Sequence, residues 1–293
     1  MGRERVPEIL CPSSAVDPHF AAAGKMPSAV VVGTGMAGAA AARTLLDAGW
    51  EVLVLEAEAQ IGGHSRSTQT SLGPIDMGVV YVHPPTYPVL SRLVERVGAE
   101  FVPLNLGLHS VNADTVLFSS DRGSEFEGRE KLLKSLSDGS THGSVAQAAL
   151  AAGVPMRAQK HALKAILGAF ALRSSHPAQH MKDAPDIMPF TGRSTWYRIG
   201  GGFLSFVQRL LRGADVRTKS ACLEIAEYTQ SKTGKTRFVV THSGVGGGPR
   251  YANVDGVVIA TDPGDIRLIT RRSREHSQRL RTWDKPLDRF RAD

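Results

Sequence analysis

The stretch Ala29–Glu56 constrains the fold of this chain more than any other part of its sequence. It begins with the apolar, β-branched run Ala29–Val32, which is typical of a buried parallel strand. The residues Gly33–Gly38 follow at once and fit the pattern G-x-G-x-x-G. A helical segment comes next, and then a second apolar strand, Glu51–Glu56, that ends in an acid. This order predicts a strand–turn–helix–strand unit that holds the ADP half of a dinucleotide.

The three glycines and the acid would each have a separate role in binding that ligand. Gly33 permits a tight turn, Gly35 lets the backbone approach a pyrophosphate, and Gly38 lets the helix lie close to the strand. The helix would start with free N–H groups and the positive end of its dipole towards the phosphates. Glu56 follows at the spacing of a ribose-binding carboxylate, and its charge favours a ribose without a 2′-phosphate. An α/β unit without a ligand is the alternative interpretation.

A second glycine pair, Gly62-Gly63, lies just past Glu56 and is followed by His64, Ser65 and Arg66. A domain that binds only NAD has no need of glycines there. With the D-x-G segment further on, in Gly73–Gly78, this pattern resembles the flavin-containing amine oxidase superfamily, which includes monoamine oxidases, protoporphyrinogen oxidase and the phytoene desaturases.

The resemblance implies roles for these residues. Gly62, Gly63 and Arg66 would contact the phosphates and the ribityl chain of FAD. His64 departs from the family, which commonly has Arg at that position.

The resemblance continues in the C-terminal half. Trp196–Gly202 is similar to the family's second glycine pair, which leads into a helix. Asp215–Tyr228 is similar to a strand pair in which one backbone group pairs with adenine, and Cys222 stands at that position. Val257–Thr261 is similar to a buried strand whose end, at Thr261, approaches the dinucleotide.

The predicted cofactor-binding residues therefore come from distant parts of the chain. They are Gly33, Gly35, Met36, Ala37, Gly38, Glu56, Ala57, Gly62, Gly63, His64, Arg66, Cys222 and Thr261. No catalytic residue is assigned, because a neutral amine can give up hydride without a general base. No metal is expected, since no histidine stands in H-E-x-x-H or in a Cys/His ligand spacing.

The resemblance implies an α/β fold with a discontinuous Rossmann-like FAD-binding domain, residues 28–79 and 196–270. An inserted α+β substrate-type domain would occupy residues 80–195. Residues 1–27 are predicted to be a flexible N-terminal segment, and residues 271–293 a basic C-terminal tail.

Four local predictions concern the insert. Tyr87–Val97 and His161–Leu172 have apolar residues at helical spacing. Val116–Phe118 predicts a short strand, and the polar, glycine-containing stretch Ser119–Ser144 predicts a surface loop.

Composition bounds the remaining possibilities. The net charge is +7, but +5 of it lies in Arg267–Asp293, which carries no recognised nucleic-acid-binding motif, so no nucleic-acid partner is expected. No apolar run approaches the ~18 residues of a membrane span, so stable membrane insertion is not expected. Met1–Met26 lacks an apolar signal region, which favours the cytoplasm, with a transit peptide as a weak alternative.

Together these features predict an FAD-dependent oxidoreductase of the amine-oxidase type, which moves hydride or electrons from a small organic donor to the flavin. Two alternatives stay open, a truncated non-catalytic dinucleotide-binding module and a flavoprotein desaturase or isomerase. Family members are longer and have a further glycine-containing strand and helix, and nothing like it follows Ile269. The chain is therefore expected to be a fragment, to use its tail in place of that segment, or to receive the segment from a partner. The oligomeric state is left undetermined.

Overall fold

The structure is a computed structural model. It describes the following parts of the chain: residues 26–104, 109–112, 115–119, 128–137, 142–163, 167, 173–181, 195–229, 234–244 and 248–262. Nearly all of the predicted N-terminal segment and the whole predicted basic tail, residues 271–293, lie outside the described residues.

The strands and helices are numbered in chain order. The strands are β1 (Ser28–Val32), β2 (Glu51–Leu55), β3 (Ser67–Thr70), β4 (Gly73–Asp76), β5 (Phe101–Leu104), β6 (His109–Asn112), β7 (Thr115–Ser119), β8 (Trp196–Ile199), β9 (Asp215–Arg217), β10 (Cys222–Thr229), β11 (Thr236–Ser243), β12 (Pro249–Val254) and β13 (Gly256–Ile259). The α-helices are α1 (Met36–Asp47), α2 (Pro88–Arg96), α3 (Arg129–Ser137), α4 (Val145–Ala151), α5 (Met156–Ala158) and α6 (Phe203–Leu210).

The chain divides into two compact units. Unit 1 comprises the described residues up to Val80, Arg96–Ala99, and the described residues from Gly201 onward; unit 2 comprises Tyr81–Glu95 and Glu100–Gly200.

Unit 1 is built on a four-stranded sheet in the order β13-β1-β2-β9, and each pairing in it is parallel. The adjacent strands β1 and β2 are joined through helix α1, and their nearly continuous apolar sequences are buried, as expected when both faces of a parallel sheet are covered. The predicted α/β fold is thereby confirmed.

The two faces of this sheet meet different neighbours. Val30 and Val32 of β1, with Leu53 and Leu55 of β2, belong to one buried cluster with Val240, Ala252 and Val254 of the antiparallel sheet β10-β11-β12. Side chains alternate along a strand, so the residues between them point to the other face, where α1 contacts β1, β2 and α6.

Helix α6 follows directly after the glycines of residues 200–202. Its buried residues are Phe203, Phe206, Val207 and Leu210, at positions i, i+3, i+4 and i+7, which form one apolar stripe. The expectation that the glycines of residues 200–202 lead into a helix is therefore confirmed.

Unit 2 has its own apolar core. Leu132 and Leu136 of α3, together with Val145 and Ala149 of α4, belong to a buried cluster that continues into residues 152–181. Two antiparallel pairs, β5-β8 and β6-β7, complete the unit. Helix α2 and strand β7 confirm the helix predicted over 87–97 and the strand predicted over 116–118.

Three local predictions need correction. Ser119–Ser144 contains helix α3 rather than only loop, because Leu132 and Leu136, one turn apart, join the core. In Asp215–Tyr228, β9 pairs with β2 while β10 pairs with β11, so the two strands lie in different sheets. The Val257–Thr261 strand ends at Ile259 and is only partly buried, since in the described sheet β13 pairs on one side only.

The predicted helix His161–Leu172 is described only in part. Gln159–Leu163 forms a π-helical turn, Leu163 and Leu167 are buried, and most of the remaining residues lie outside the described ranges. Within the described part of the chain, no helix has both the length and the apolar character needed to cross a membrane.

Candidate nucleotide-binding cleft

Unit 1 contains a cleft of about 1100 Å³ at the carboxyl ends of its parallel strands. Val32 and Leu55, the last residues of β1 and β2, line it. The backbone N–H of Gly33 donates to the Leu55 carbonyl at 2.8 Å, and that of Ala260 donates to the Val32 carbonyl at 2.8 Å. These bonds extend the pairing of three strands to the edge where their loops meet, which is where open α/β sheets bind ligands.

Helix α1 begins at this cleft without a side-chain cap. Its N-cap residue is Gly35, no side chain accepts a hydrogen bond there, and the first turn holds no acid. By contrast, α4 has a complete capping box between Ser144 and Gln147. Uncapped N–H groups and the positive end of the helix dipole favour an anion at the start of α1.

The three glycines of the first loop have different surroundings. A Cβ at Gly33 would lie 2.7 Å from the Ala260 carbonyl oxygen, and one at Gly38 would lie 2.0 Å from the Gly33 carbonyl oxygen. At Gly35 a Cβ would meet nothing within 4 Å. The space in front of Gly35 is therefore open to a ligand, whereas Gly33 and Gly38 are required by the packing of the turn and the helix.

Thr34 joins three parts of the cleft. Its backbone N–H donates to Oε2 of Glu56 at 3.1 Å, and its hydroxyl donates to the same oxygen. The Thr34 hydroxyl also accepts from the backbone N–H of Gly62 at 3.0 Å. The other carboxylate oxygen, Oε1, accepts from the Glu58 N–H at 3.0 Å. Glu56 is thus a nearly buried carboxylate, 9% exposed, with a defined orientation at the wall of the cleft.

The second glycine loop approaches the first very closely. A Cβ at Gly63 would lie 3.2 Å from Cα of Gly35, and one at Gly78 would lie 2.0 Å from the His64 carbonyl oxygen. The Met77 N–H donates to the Arg66 carbonyl at 2.8 Å. Residues 63–66 and 77–79 therefore run side by side, and both segments line the cleft.

Arg66 and His64 are exposed side chains in this lining. Nε of Arg66 donates to the Gly63 carbonyl at 3.2 Å, which leaves the planar fork of the guanidinium suited to an anion. The cationic side of the cleft thus lies on the second glycine loop, and the carboxylates of Glu56 and Glu58 lie on the other strand ends.

Asp76, in the D-x-G segment, does not line the cleft. Its Oδ1 accepts from the Phe203 N–H at 2.9 Å and from the Ser67 hydroxyl at 2.5 Å, and that hydroxyl accepts from the Leu204 N–H at 3.2 Å. Asp76 and Ser67 therefore cap helix α6 and tie it to the β3-β4 hairpin. Its neighbours Met77 and Gly78 do line the cleft.

Cys222 and Thr261 close the wall formed by the later strands. Burial raises the pKa of the Cys222 thiol to about 12, against an opposing hydrogen bond with the backbone of Glu224. Such a thiol stays protonated at neutral pH, so it contributes contact surface rather than a nucleophile.

The structure brings eleven of the thirteen predicted residues into the lining of this one cleft. The two that it places outside the lining are Gly38, held inside α1, and Gly62, whose N–H is used by Thr34. Their assignment as cofactor contacts stays a prediction, as does that of the eleven.

Several lining residues were missed by sequence reasoning. They are Thr34, Glu58, Ser65, Met77, Gly78, Val79, Ala221, Ala260 and Asp262, besides the strand ends Val32 and Leu55. Thr34 occupies a variable position of the glycine motif, so only its hydroxyl hinted at a role. Ala221 and Ala260 carry no chemical signal. Among the described residues no group of three or more His, Cys, Asp or Glu side chains is arranged to hold a metal ion.

Comparisons with known proteins show which proteins this chain resembles. The model of the family described as flavin containing amine oxidoreductase matches residues 36–142. Polyamine oxidase 2 of Arabidopsis thaliana is 39% identical over 74 residues, which are 24% of this chain and 15% of that protein. The matched segment thus spans about one seventh of the curated relative. The resemblance to the flavin-containing amine oxidase superfamily is confirmed.

Solved structures extend the likeness of fold to most of the chain. Putrescine oxidase bound to putrescine superposes with a TM-score of 0.57 at 18% identity, covering 83% of this chain and 60% of that one. A fatty acid isomerase from P. acnes superposes with a TM-score of 0.58 at 15% identity, covering 84% and 62%. The chain therefore spans about three fifths of the length of these structures.

Proposed function

We propose that this chain, which resembles the flavin containing amine oxidoreductases, binds FAD in the cleft of unit 1. We further propose that it is an FAD-dependent oxidoreductase of the amine-oxidase type. The observation that carries the proposal is the uncapped start of α1, which opens on the space in front of Gly35 beside the buried carboxylate of Glu56. A dinucleotide supplies both complements, a pyrophosphate for the helix and a ribose for the acid.

The residues divide between the parts of the cofactor. The N–H groups that begin α1 at Met36 and Ala37 would hold the pyrophosphate, with Arg66 as the cationic partner. Glu56 would accept from a ribose hydroxyl. Glu56 and Glu58 together would repel a 2′-phosphate, so the site favours FAD or NAD over NADP.

The residues that line the cleft favour FAD over a shorter nucleotide. Besides the start of α1, its lining includes the second glycine loop and the adjoining residues Met77 and Val79. Apolar side chains there suit the flavin half of the cofactor better than a second charged group. Cys222 and Thr261 would contact the adenine and central regions through their backbone and short side chains.

We place the substrate in the same class as that of the relatives, a small organic amine. FAD, when bound, would accept hydride or electrons from that donor. The chain's own residues bind and orient the cofactor, and the substrate-type domain is assigned to the predicted insert, residues 80–195, which overlaps unit 2. No proton-transferring residue is assigned, because a neutral amine can lose hydride without one.

The first experiment is the visible absorption spectrum of the purified chain, with the released cofactor identified after denaturation. A yellow protein that releases FAD supports the proposal. A folded, colourless protein that gains no flavin on incubation with FAD refutes it. The G35A variant is the matched control, since it removes the open space without disturbing packing.

Activity is a separate question from binding. The FAD-loaded chain should be mixed without oxygen with putrescine, spermidine and a monoamine, and loss of the flavin absorption recorded. Bleaching by an amine supports the oxidoreductase. Bound FAD that no donor bleaches favours the alternative of a non-catalytic dinucleotide-binding module. Conversion of a fatty acid without net oxidation would instead favour an isomerase.

A further inference from the structure

Thr34 has an unusual position among the residues of the cleft. It is fully buried, yet it is among the residues that line the cleft, and its hydroxyl lies between the Glu56 carboxylate and the second glycine loop. A hydroxyl has one proton to donate and two lone pairs to accept with. Here the proton goes to Glu56, and a lone pair receives the N–H of Gly62.

The consequence for Glu56 follows from counting acceptor positions. An ionised carboxylate offers roughly four. Oε2 accepts from the N–H and from the hydroxyl of Thr34, and Oε1 accepts from the N–H of Glu58. By this count one acceptor position remains, and it belongs to Oε1. A ligand hydroxyl that reaches the cleft wall can use it.

We propose that Thr34 is a positioning residue for ribose recognition: its hydroxyl holds the Glu56 carboxylate so that Oε1 keeps an acceptor position for a ribose hydroxyl, and it couples that carboxylate to the second glycine loop. The inference rests on the proposed function, because it requires a nucleotide in the cleft. It goes beyond that function by assigning ribose selectivity to a residue that need not touch the ligand with its side chain.

Two substitutions separate the hydroxyl from the shape of the side chain. T34V keeps the branched shape but removes both the donor to Glu56 and the acceptor for the Gly62 N–H. T34S keeps the hydroxyl and loses one methyl group. T44V is the matched control, because Thr44 lies exposed on α1 and its hydroxyl bonds only within the helix, to the Ala40 carbonyl, at 2.9 Å.

The test uses the whole chain and three probes, ADP, 2′-deoxy-ADP and 3′-deoxy-ADP, with dissociation constants from calorimetry and melting temperatures recorded in parallel. For the native chain we expect ADP to bind about tenfold or more tightly than at least one deoxy analogue, the value of one charge-assisted hydrogen bond. In T34V this preference should fall to about threefold or less, while T34S and T44V should keep it.

Some results would overturn the role of Thr34, and others would overturn the proposed function. A T34V chain that melts earlier but keeps the full preference for ADP overturns the inference, because Thr34 would then only support the fold. A native chain that binds ADP and both deoxy analogues equally also overturns it. If T34V does not fold, T34A is measured in its place against the same two outcomes. A folded native chain that binds neither ADP nor FAD refutes the proposed function itself.

Discussion

The carboxylate of Asp76 accepts the backbone N–H of Phe203 at 2.9 Å, across a sequence separation of 127 residues. This bond joins the end of the β3-β4 hairpin to the first residue of α6. A Cβ at Gly202 would lie 2.9 Å from the Ser67 hydroxyl oxygen and 3.1 Å from Oδ1 of Asp76, so the close approach needs a glycine. The hairpin that precedes the cleft residues Met77 and Gly78 is thereby anchored to a helix that is distant in the sequence.

Removal of the Asp76 cap should lower the stability of the fold. We expect D76A to lower the free energy of unfolding by about 1–2 kcal/mol, because the N–H of Phe203 loses a charged acceptor at a helix start. Urea denaturation followed by circular dichroism measures it. E227A, on an exposed position of β10, is the control and should change the value by less than about 0.5 kcal/mol. An unchanged D76A midpoint would show that the cap contributes nothing.

Gly33 and Gly35, two of the three glycines of the first loop, should respond differently to substitution by alanine. G35A should keep the native melting temperature and weaken ADP or FAD binding by about tenfold or more, since the new methyl group occupies the space of the pyrophosphate. G33A should destabilise the fold, because Gly33 has a φ of +99° and its Cβ would lie 2.7 Å from the Ala260 oxygen.

Calorimetric titration and thermal melting separate these two effects. If G35A binds FAD as well as the native chain does, the glycine motif is only structural and the proposed cofactor position is wrong.

The thiol of Cys222 should be almost inert in the folded chain. Burial raises its pKa to about 12, so the reactive thiolate is fully formed only as the pH rises past that value. At pH 8 we expect alkylation roughly a thousandfold slower than for a free thiol. The C11S variant leaves Cys222 as the sole cysteine, and mass spectrometry follows its modification. Rapid labelling of the native variant, equal to that in urea, would contradict the burial of this thiol.

Arg237 should contribute to stability without affecting the cleft. Its buried guanidinium lies 3.2 Å from Asp255, donates to Oδ1 of Asn253 at 3.1 Å and to the carbonyl of Asn253 at 3.0 Å. We expect R237M to lower the free energy of unfolding by about 2–3 kcal/mol, a value reduced because Asp255 is partly exposed. R250A, on the exposed part of the neighbouring strand, is the control.

Measured affinity for ADP distinguishes this role from a functional one. R237M should bind ADP like the native chain at a temperature where both are folded. A loss of affinity there would place Arg237 in the site and contradict the structure.

The local part of the fold was predictable because its causes are local. Ala29–Val32 is an uninterrupted apolar run, Gly33–Gly38 follows it directly, and the stripe from Phe203 to Leu210 repeats at helical spacing. Each of these patterns indicates one structure from neighbouring residues alone. The helix α3 was not predicted, because its segment has few apolar residues. Leu132 and Leu136 become buried only through packing against distant parts of the chain.

The residues of the cleft were less predictable from the sequence than the local fold, because many of them act through distant partners. Residues such as Thr34 and Ala221 carry little chemical signal, and their roles come from distant partners: the Gly62 N–H for the first, and the Ser243 hydroxyl, which accepts the Ala221 N–H at 2.8 Å, for the second. The role of Asp76 also comes from a distant partner, since its carboxylate caps α6 at the N–H of Phe203.

The sequence by itself determined the order of strand, glycine turn, helix and acid, since steric limits on glycine and the period of apolar residues act over a few neighbouring positions. Only the tertiary structure decided which oxygens and N–H groups meet at the cleft. Long-range pairing of strands brings residues 34, 56, 62 and 222 to one edge of a sheet, and hydrogen bonds at about 3 Å then select their partners.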